Sequence, residues 1–139
     1  MQLRKAVLAD LRSLAEMNRQ LIRDSGHRNP MNLVQLTRRM KGWLQKEYQA
    51  WIFLEKSQVA GYCLFRREKE FLYIRQFYVG RPFRRTGLGR RAFGWLRRNP
   101  WKTEKRLRMD VLVGNKGAID FWKAVGFKDY CLTMERENL

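Results

Sequence analysis

At 139 residues, 45% hydrophobic and 13% aromatic, the chain has the size and composition of one packed domain spanning 1–139 rather than of a disordered segment. Thirty Lys and Arg against thirteen Asp and Glu leave a net charge of +17. Such a field attracts anions: a phosphorylated ligand, an acidic acceptor, RNA or a membrane surface, unless it is simply a solvated basic surface. No apolar run approaches the roughly 18–20 residues of a membrane span, and Asp10 and Arg12 interrupt any signal-like apolar stretch, so the expected location is cytoplasmic with no membrane partner. One His and two scattered Cys exclude a zinc site, and no metal is expected. Cys63 and Cys131 both lie in apolar, strand-like runs and are expected as buried free thiols, with a disulfide between them as the less favoured alternative.

In chain order, residues 2–7 read as a short first strand. Asp10 is a helix N-cap ahead of Leu11, Leu14, Ala15, Leu21 and Ile22 at helical spacing, and Gly26 is the stop. After the polar loop His27–Pro30, Leu33, Leu36, Met40, Trp43 and Leu44 mark one face of a second helix. The segments AWIFLE, VAGYCLF and FLYIRQFYV form an antiparallel meander, with turns expected at Ser57–Gln58 and Glu68–Glu70. A loop then runs into a helix whose apolar stripe is Leu88, Ala92, Trp95 and Leu96, ended by Pro100. Arg90, Arg91, Arg97 and Arg98 stack on one side of it. RLRMDVLV reads as a strand, Asn115 caps the helix AIDFWKAV, and FKDYCLTME reads as a closing strand. The order β-α-α-β-β-β-α-β-α-β is an α+β layout with a mostly antiparallel mixed sheet flanked by helices.

The stretch Arg84-Arg85-Thr86-Gly87-Leu88-Gly89-Arg90 carries the most chemistry. Glycines at 87 and 89 let consecutive backbone N–H groups close on an anion. The helix N-terminus adds partial positive charge, and Arg84, Arg85 and Arg90 add full charges. That set suits a diphosphate, although a tight strand-to-helix turn alone also uses glycine. The stretch lacks the Lys-Ser/Thr of a Walker loop and is not a full GxGxxG.

Upstream, FYV ends a strand; downstream, Asn115 opens N-x-x-A-x-x-F-W-x-x-x-G-F. Strand, arginine-glycine loop, helix, strand and asparagine-capped helix, in this order, resemble the GNAT N-acetyltransferase superfamily over about residues 71–130, and the two N-terminal helices with the meander fit the same fold. The segments HRNPM, RQFYV and FWKAVGF are similar to those of bacterial members with no assigned acceptor. The resemblance implies acetyl-CoA as co-substrate, without a metal, and a small-molecule or peptide amine as acceptor, in a monomer or homodimer. It places the pantetheine arm on the end of the fourth strand at Phe77, Tyr78 and Val79, with a backbone N–H near Val79 polarising the thioester carbonyl. The pyrophosphate falls on the N–H groups from Arg85 to Arg90. Asn115 matches the family asparagine that contacts the cofactor arm, a role compatible with plain helix capping.

An alkylammonium is almost fully protonated at neutral pH, so transfer needs a base or a water relay. Many family members carry a glutamate on the fourth strand; here Tyr73, Arg75 and Gln76 occupy that region. Others carry a glutamate five residues before the asparagine, and Asp110 stands at that spacing. Asp110 is therefore either the base or a surface aspartate paired with Arg108 or another cation, and Gln76 is a group that could orient an acceptor or a water. The tyrosine that serves the family as general acid is replaced by Trp122, whose indole cannot deliver a proton, which leaves Trp122 as packing beside the cofactor. Tyr78 and Tyr130 remain as substitutes. His27 reads as an acceptor-site or relay residue, or as a loop anchor. Two other readings stay open: a non-catalytic CoA-binding module, and a basic RNA- or ribosome-associated protein with Phe83, Phe93 and Trp101 among its arginines.

Overall fold

The computed structural model describes residues 1–139. Its elements are β1 (Gln2–Lys5), a 3-10 turn (Leu8–Asp10), α1 (Leu11–Ser25), α2 (Leu33–Leu44), β2 (Tyr48–Glu55), β3 (Gln58–Arg67) and β4 (Leu72–Val79). A second 3-10 turn (Arg81–Phe83), α3 (Leu88–Arg98), β5 (Leu107–Arg108) and α4 (Lys116–Ala124) complete the chain. The strands lie side by side in chain order, antiparallel from β1 to β4 and parallel between β4 and β5. The result is a mixed five-stranded sheet with helices on both faces.

Strand alternation sorts the core into two layers. Tyr62 and Leu64 of β3 point to one face, where Leu14 of α1, Met40 of α2 and Ile52 pack with them. Cys63 and Phe65 point to the other, where Ala92, Phe93 and Leu96 of α3 and Trp122 of α4 close the layer. β3 is consequently buried on both sides from Ala60 to Phe65. No helix is long and apolar enough to cross a membrane.

The helix ends follow their caps. Asn32 accepts the Gln35 N–H while the Gln35 side chain accepts the Asn32 N–H, a reciprocal capping box that starts α2. Asn115 accepts the Ala118 N–H at 3.3 Å and starts α4. Gly26, at φ 72°, closes α1 in the left-handed region. The β2–β3 turn is Lys56–Ser57, one residue earlier than expected, with φ of 49° and 66°, the double left-handed turn that matches strand twist. Asp10 precedes α1 without capping it. Its carboxylate instead accepts the Val7 N–H at 2.8 Å and a two-pronged Arg4 guanidinium at 2.9 Å, because the 3-10 turn has already used the capping position.

Two expected strands are cut short. RLRMDVLV pairs with β4 only through Leu72↔Leu107 and Tyr73↔Arg108, after which β4 and β5 diverge. FKDYCLTME forms no strand. With β5 ending at Arg108, the closing segment finds no extended edge to bond to, and its alternation goes unused: Tyr130, Leu132 and Met134 are exposed. Cys131, on that segment, is exposed rather than buried; Cys63 is buried, and both are free thiols.

Candidate active site

The loop after β4 is built to leave its amides free. Arg85 at φ 61° and Gly87 at φ 82° both take the left-handed conformation, so successive N–H groups turn toward one side. None of the N–H groups from Arg85 to Arg90 bonds to a protein acceptor; the first helical bond of α3 runs from Arg91 N–H to Gly87 C=O at 3.0 Å. These donors stand at the N-terminus of an eleven-residue helix, where its dipole is positive. Gly89 permits the close seating of α3: a Cβ there would lie 3.2 Å from the Phe121 ring of α4 and 3.5 Å from Val79.

Not every arginine of the loop is free for a ligand. Arg84 donates from Nε to the Val79 carbonyl at 2.7 Å and from Nη2 to Asp24 at 2.6 Å. Arg81 joins Asp24 at 2.9 Å. Asp24 is thus the tether between α1 and the loop. Burial opposes its charge, yet the bonds from Arg84, Gln20 and Arg81 outweigh that and hold its carboxyl below the usual range. Arg90 donates to the Ala124 carbonyl at 3.2 Å, satisfying the C-terminus of α4. Thr86 Oγ donates to the Phe83 carbonyl at 2.6 Å. Arg85 makes no such bond.

β4 carries a bulge. Leu64 pairs with Gln76 and Phe65 with Ile74, so Arg75 has no partner across the ladder. The extra residue flips the alternation: Leu72 and Ile74 lie in the α3/α4 layer, whereas Tyr78 lies in the α1/α2 layer and Phe77 and Val79 pack against the first. Gln76, 9% exposed, accepts the Tyr62 hydroxyl at 2.6 Å. Beyond Tyr73, β5 no longer covers the edge of β4, which opens a parting between the strands toward Val79. A cleft of about 390 Å³ adjoins this strand end, lined by Met17, Gln20, Ala60, Tyr78, Gly80 and Phe83 among others.

Asp110 stands at the parting. It accepts the Tyr73 hydroxyl at 2.9 Å, and burial followed by this carboxylate pushes the Tyr73 phenol up to about 12. The expected alternative partner is engaged elsewhere: Arg108 bonds Tyr130 at 3.2 Å and covers Phe71. Trp122 is 7% exposed and sits in an aromatic cluster with Phe77, Phe121, Phe93 and Phe127, a core position. Tyr78 is 7% exposed and its phenol is raised by burial; Tyr130 is at the surface. His27 Nδ1 accepts the Asn29 N–H at 3.2 Å, the bond of a loop anchor.

The structure also gathers residues to which the sequence assigned no shared role. On the α1/α2 side of the bulge, Arg39 and Arg75 lie 4.4 and 4.5 Å from the centre of the Trp43 ring. Arg39 donates to Asn18 Oδ1 at 3.2 Å, and Arg66 and Arg75 both reach the Tyr48 hydroxyl. Asn18 offers the one legible signal: it is a fully buried amide at a stripe position of α1, three residues after Ala15.

Residues 13–127 match the model of the acetyltransferase (GNAT) family. No curated protein matches the chain closely enough to count as a relative. Among solved structures, a mutant of the BH1408 protein from Bacillus halodurans superposes with a TM-score of 0.80 at 19% identity, covering 100% of each chain. A predicted acetyltransferase with acetyl-CoA from Clostridium acetobutylicum gives 0.74 at 16% identity, over 98% of this chain and 95% of that one. The aminoglycoside N-acetyltransferase AAC(6')-Iy in complex with CoA gives 0.78 at 13% identity, over 99% and 95%.

Proposed function

The chain belongs to the acetyltransferase (GNAT) family, and on that premise we propose that it moves an acetyl group from acetyl-CoA directly to a primary amine. The observation that carries the reading is the run of unbonded N–H groups from Arg85 to Arg90 at the head of α3. The first N–H groups of a helix have no partner within it, and a contiguous set beside a helix N-terminus and the Arg85 guanidinium fits a diphosphate. Acetyl-CoA supplies the activated acyl thioester.

The chain's own residues then have separable tasks. Amides 85–90 and the Arg85 guanidinium hold the pyrophosphate. Phe77, Tyr78 and Val79, on the edge that β5 leaves uncovered, take the arm by backbone hydrogen bonds, and an N–H near Val79 polarises the thioester carbonyl. Asn115 divides its amide between capping α4 and the arm. Asp110 accepts the amine's proton, directly or through water, with Tyr73 holding its orientation. Gln76, fixed by Tyr62, orients the acceptor. No tyrosine stands where Trp122 packs, so the leaving thiolate departs without a dedicated acid, which its pKa near that of cysteine, about 8.5, permits.

Calorimetry with CoA and acetyl-CoA, followed by thiol release with a panel of amines, tests the reading. Binding with release for at least one amine is expected; no affinity for either CoA or its acetyl thioester would overturn it. The buried Trp122 favours a second reading, a CoA-binding module without turnover. Tight binding with no release for any amine would decide for that one.

A further inference from the structure

Resting on the acetyl-transfer reading, we propose that the acceptor amine carries an oxyanion, a carboxylate or phosphate, seated between Arg39 and Arg75 beside the Asn18 amide. The argument starts from charge. Both guanidiniums lie over the same indole, 4.4 and 4.5 Å from its centre. Neither takes part in an ion pair, whereas Arg66 beside them has Glu68 at 2.6 Å. Burial, then the neighbouring charge of Arg75, lower the affinity of Arg39 for its proton. The Trp43 ring offsets part of this by cation–π attraction but neutralises neither charge.

Hydrogen-bond bookkeeping points the same way. Asn18 is 0% exposed, its Oδ1 is taken by Arg39, and its Nδ2 has no acceptor. Arg39 Nε is likewise buried without one. Unmet buried donors are costly, and native structures keep them where a ligand or water completes the set. Every unmet group in this cluster donates. The missing partner is therefore an acceptor, and beside two cations an anion fits best.

Position connects the cluster to the chemistry. Arg75 is the bulge residue of β4, adjacent to Gln76 and two residues from Phe77 at the uncovered edge. Neither neighbouring carboxylate serves these arginines: Glu68 pairs with Arg66, and Asp110 accepts the Tyr73 hydroxyl. One small molecule can thus place an oxyanion on Arg39 and Arg75 and an amine toward the strand parting. Polyamines and aminoglycosides, which bring several positive charges, meet repulsion here and from the +17 chain as a whole.

The test is calorimetry on the CoA-loaded protein, which has no acetyl group to transfer. The probes are the ω-amino carboxylates from glycine to 6-aminohexanoate, aminoalkyl phosphates of the same lengths, and the matched unsubstituted alkylamines. At least one anionic amine is expected to bind about tenfold or more tightly than its alkylamine, the size of a charged hydrogen bond. The two anionic series identify which oxyanion is preferred. Arg39→Gln and Arg75→Gln should each erase most of that advantage with CoA affinity retained; Arg75 is exposed, so its replacement leaves the core intact. Equal or tighter binding of alkylamines, no binding of any anionic amine, or an advantage that survives both substitutions would overturn the proposal. Failure of CoA to bind would instead strike the acetyl-transfer reading, and the same titrations on the free protein would still read the anion preference.

Discussion

Tyr73, the last residue of β4 paired with β5, donates its hydroxyl across 2.9 Å to Asp110, two residues beyond the end of β5. The bond ties the segment that leaves β5 back to β4 where the backbone ladder stops. Burial and the carboxylate raise the Tyr73 phenol to about 12, so its contribution to stability is complete below about pH 10 and is lost as pH rises from about 10 to about 12. Asp110→Asn keeps an acceptor and removes the charge. Ultraviolet titration of tyrosinate, with Tyr73→Phe as reference, should show the phenol titrating lower than in the parent yet above 10, since burial remains. No change would mean that the carboxylate is not felt by the ring.

The same substitution addresses catalysis. With Asp110 as base, Asp110→Asn should lower the transfer rate by roughly 10²–10⁴ while CoA affinity holds. The loss should be read from the pH–rate profile, whose acidic limb the substitution removes. An unaltered profile would take Asp110 out of the mechanism.

Gly87 sits at φ 82° with nothing within 4 Å of where a Cβ would project. A side chain there meets backbone strain, not crowding. Gly87→Val places a β-branched residue in the left-handed region at a cost of roughly 1–2 kcal/mol, which the loop can relieve by turning its N–H groups apart. CoA affinity is expected to fall at least tenfold, measured by calorimetry, with only a small drop in melting temperature.

Gly61 presents the opposite case. A Cβ added there would overlap the Tyr78 carbonyl oxygen and come within 3.0 Å of the Phe53 ring. Backbone on β4 must move to admit it. Gly61→Ala should destabilise the fold by about 1–3 kcal/mol in urea denaturation and weaken CoA binding together, because the displaced strand is the one that ends at the site.

Acid should loosen the tether to the loop. Asp10 is held low by its bond from Arg4, and Asp24, despite burial, by Arg84, Gln20 and Arg81. Both carboxylates sit below their unfolded range, so their contribution is present above about pH 4 and disappears as pH falls through the lower folded values. Urea midpoints from pH 6 to pH 2.5 should decline at the acid end. Asp24→Asn should be less stable at pH 6 and show a shallower decline.

How far the sequence was legible depended on how local each feature is. The amide-bearing loop could be read because Gly87, Gly89 and the head of α3 lie within a few residues of one another; that Arg84 and Arg90 are spent on Asp24 and Ala124, 60 and 34 positions away, could not. The caps at Asn32 and Asn115 are equally short-range. FKDYCLTME was misread because alternation reports the ability to form a strand, not the presence of a neighbour, and β5 ends too early to offer one. Tyr73 and Asp110 are separated by 37 positions, and Arg39 meets Arg75 only because α2 packs on the sheet face to which strand alternation turns Arg75, opposite Ile74. Such meetings follow from register, which no local pattern announces.

The early end of β5 has a further cost to the molecule. From Ile74 to Val79, one flank of β4 lacks a β-strand neighbour, and bare strand flanks invite self-association. An extended ligand lying in the parting would act as a substitute strand. Solutions of the protein saturated with CoA should accordingly stay clear at concentrations and temperatures where the unliganded protein turns cloudy.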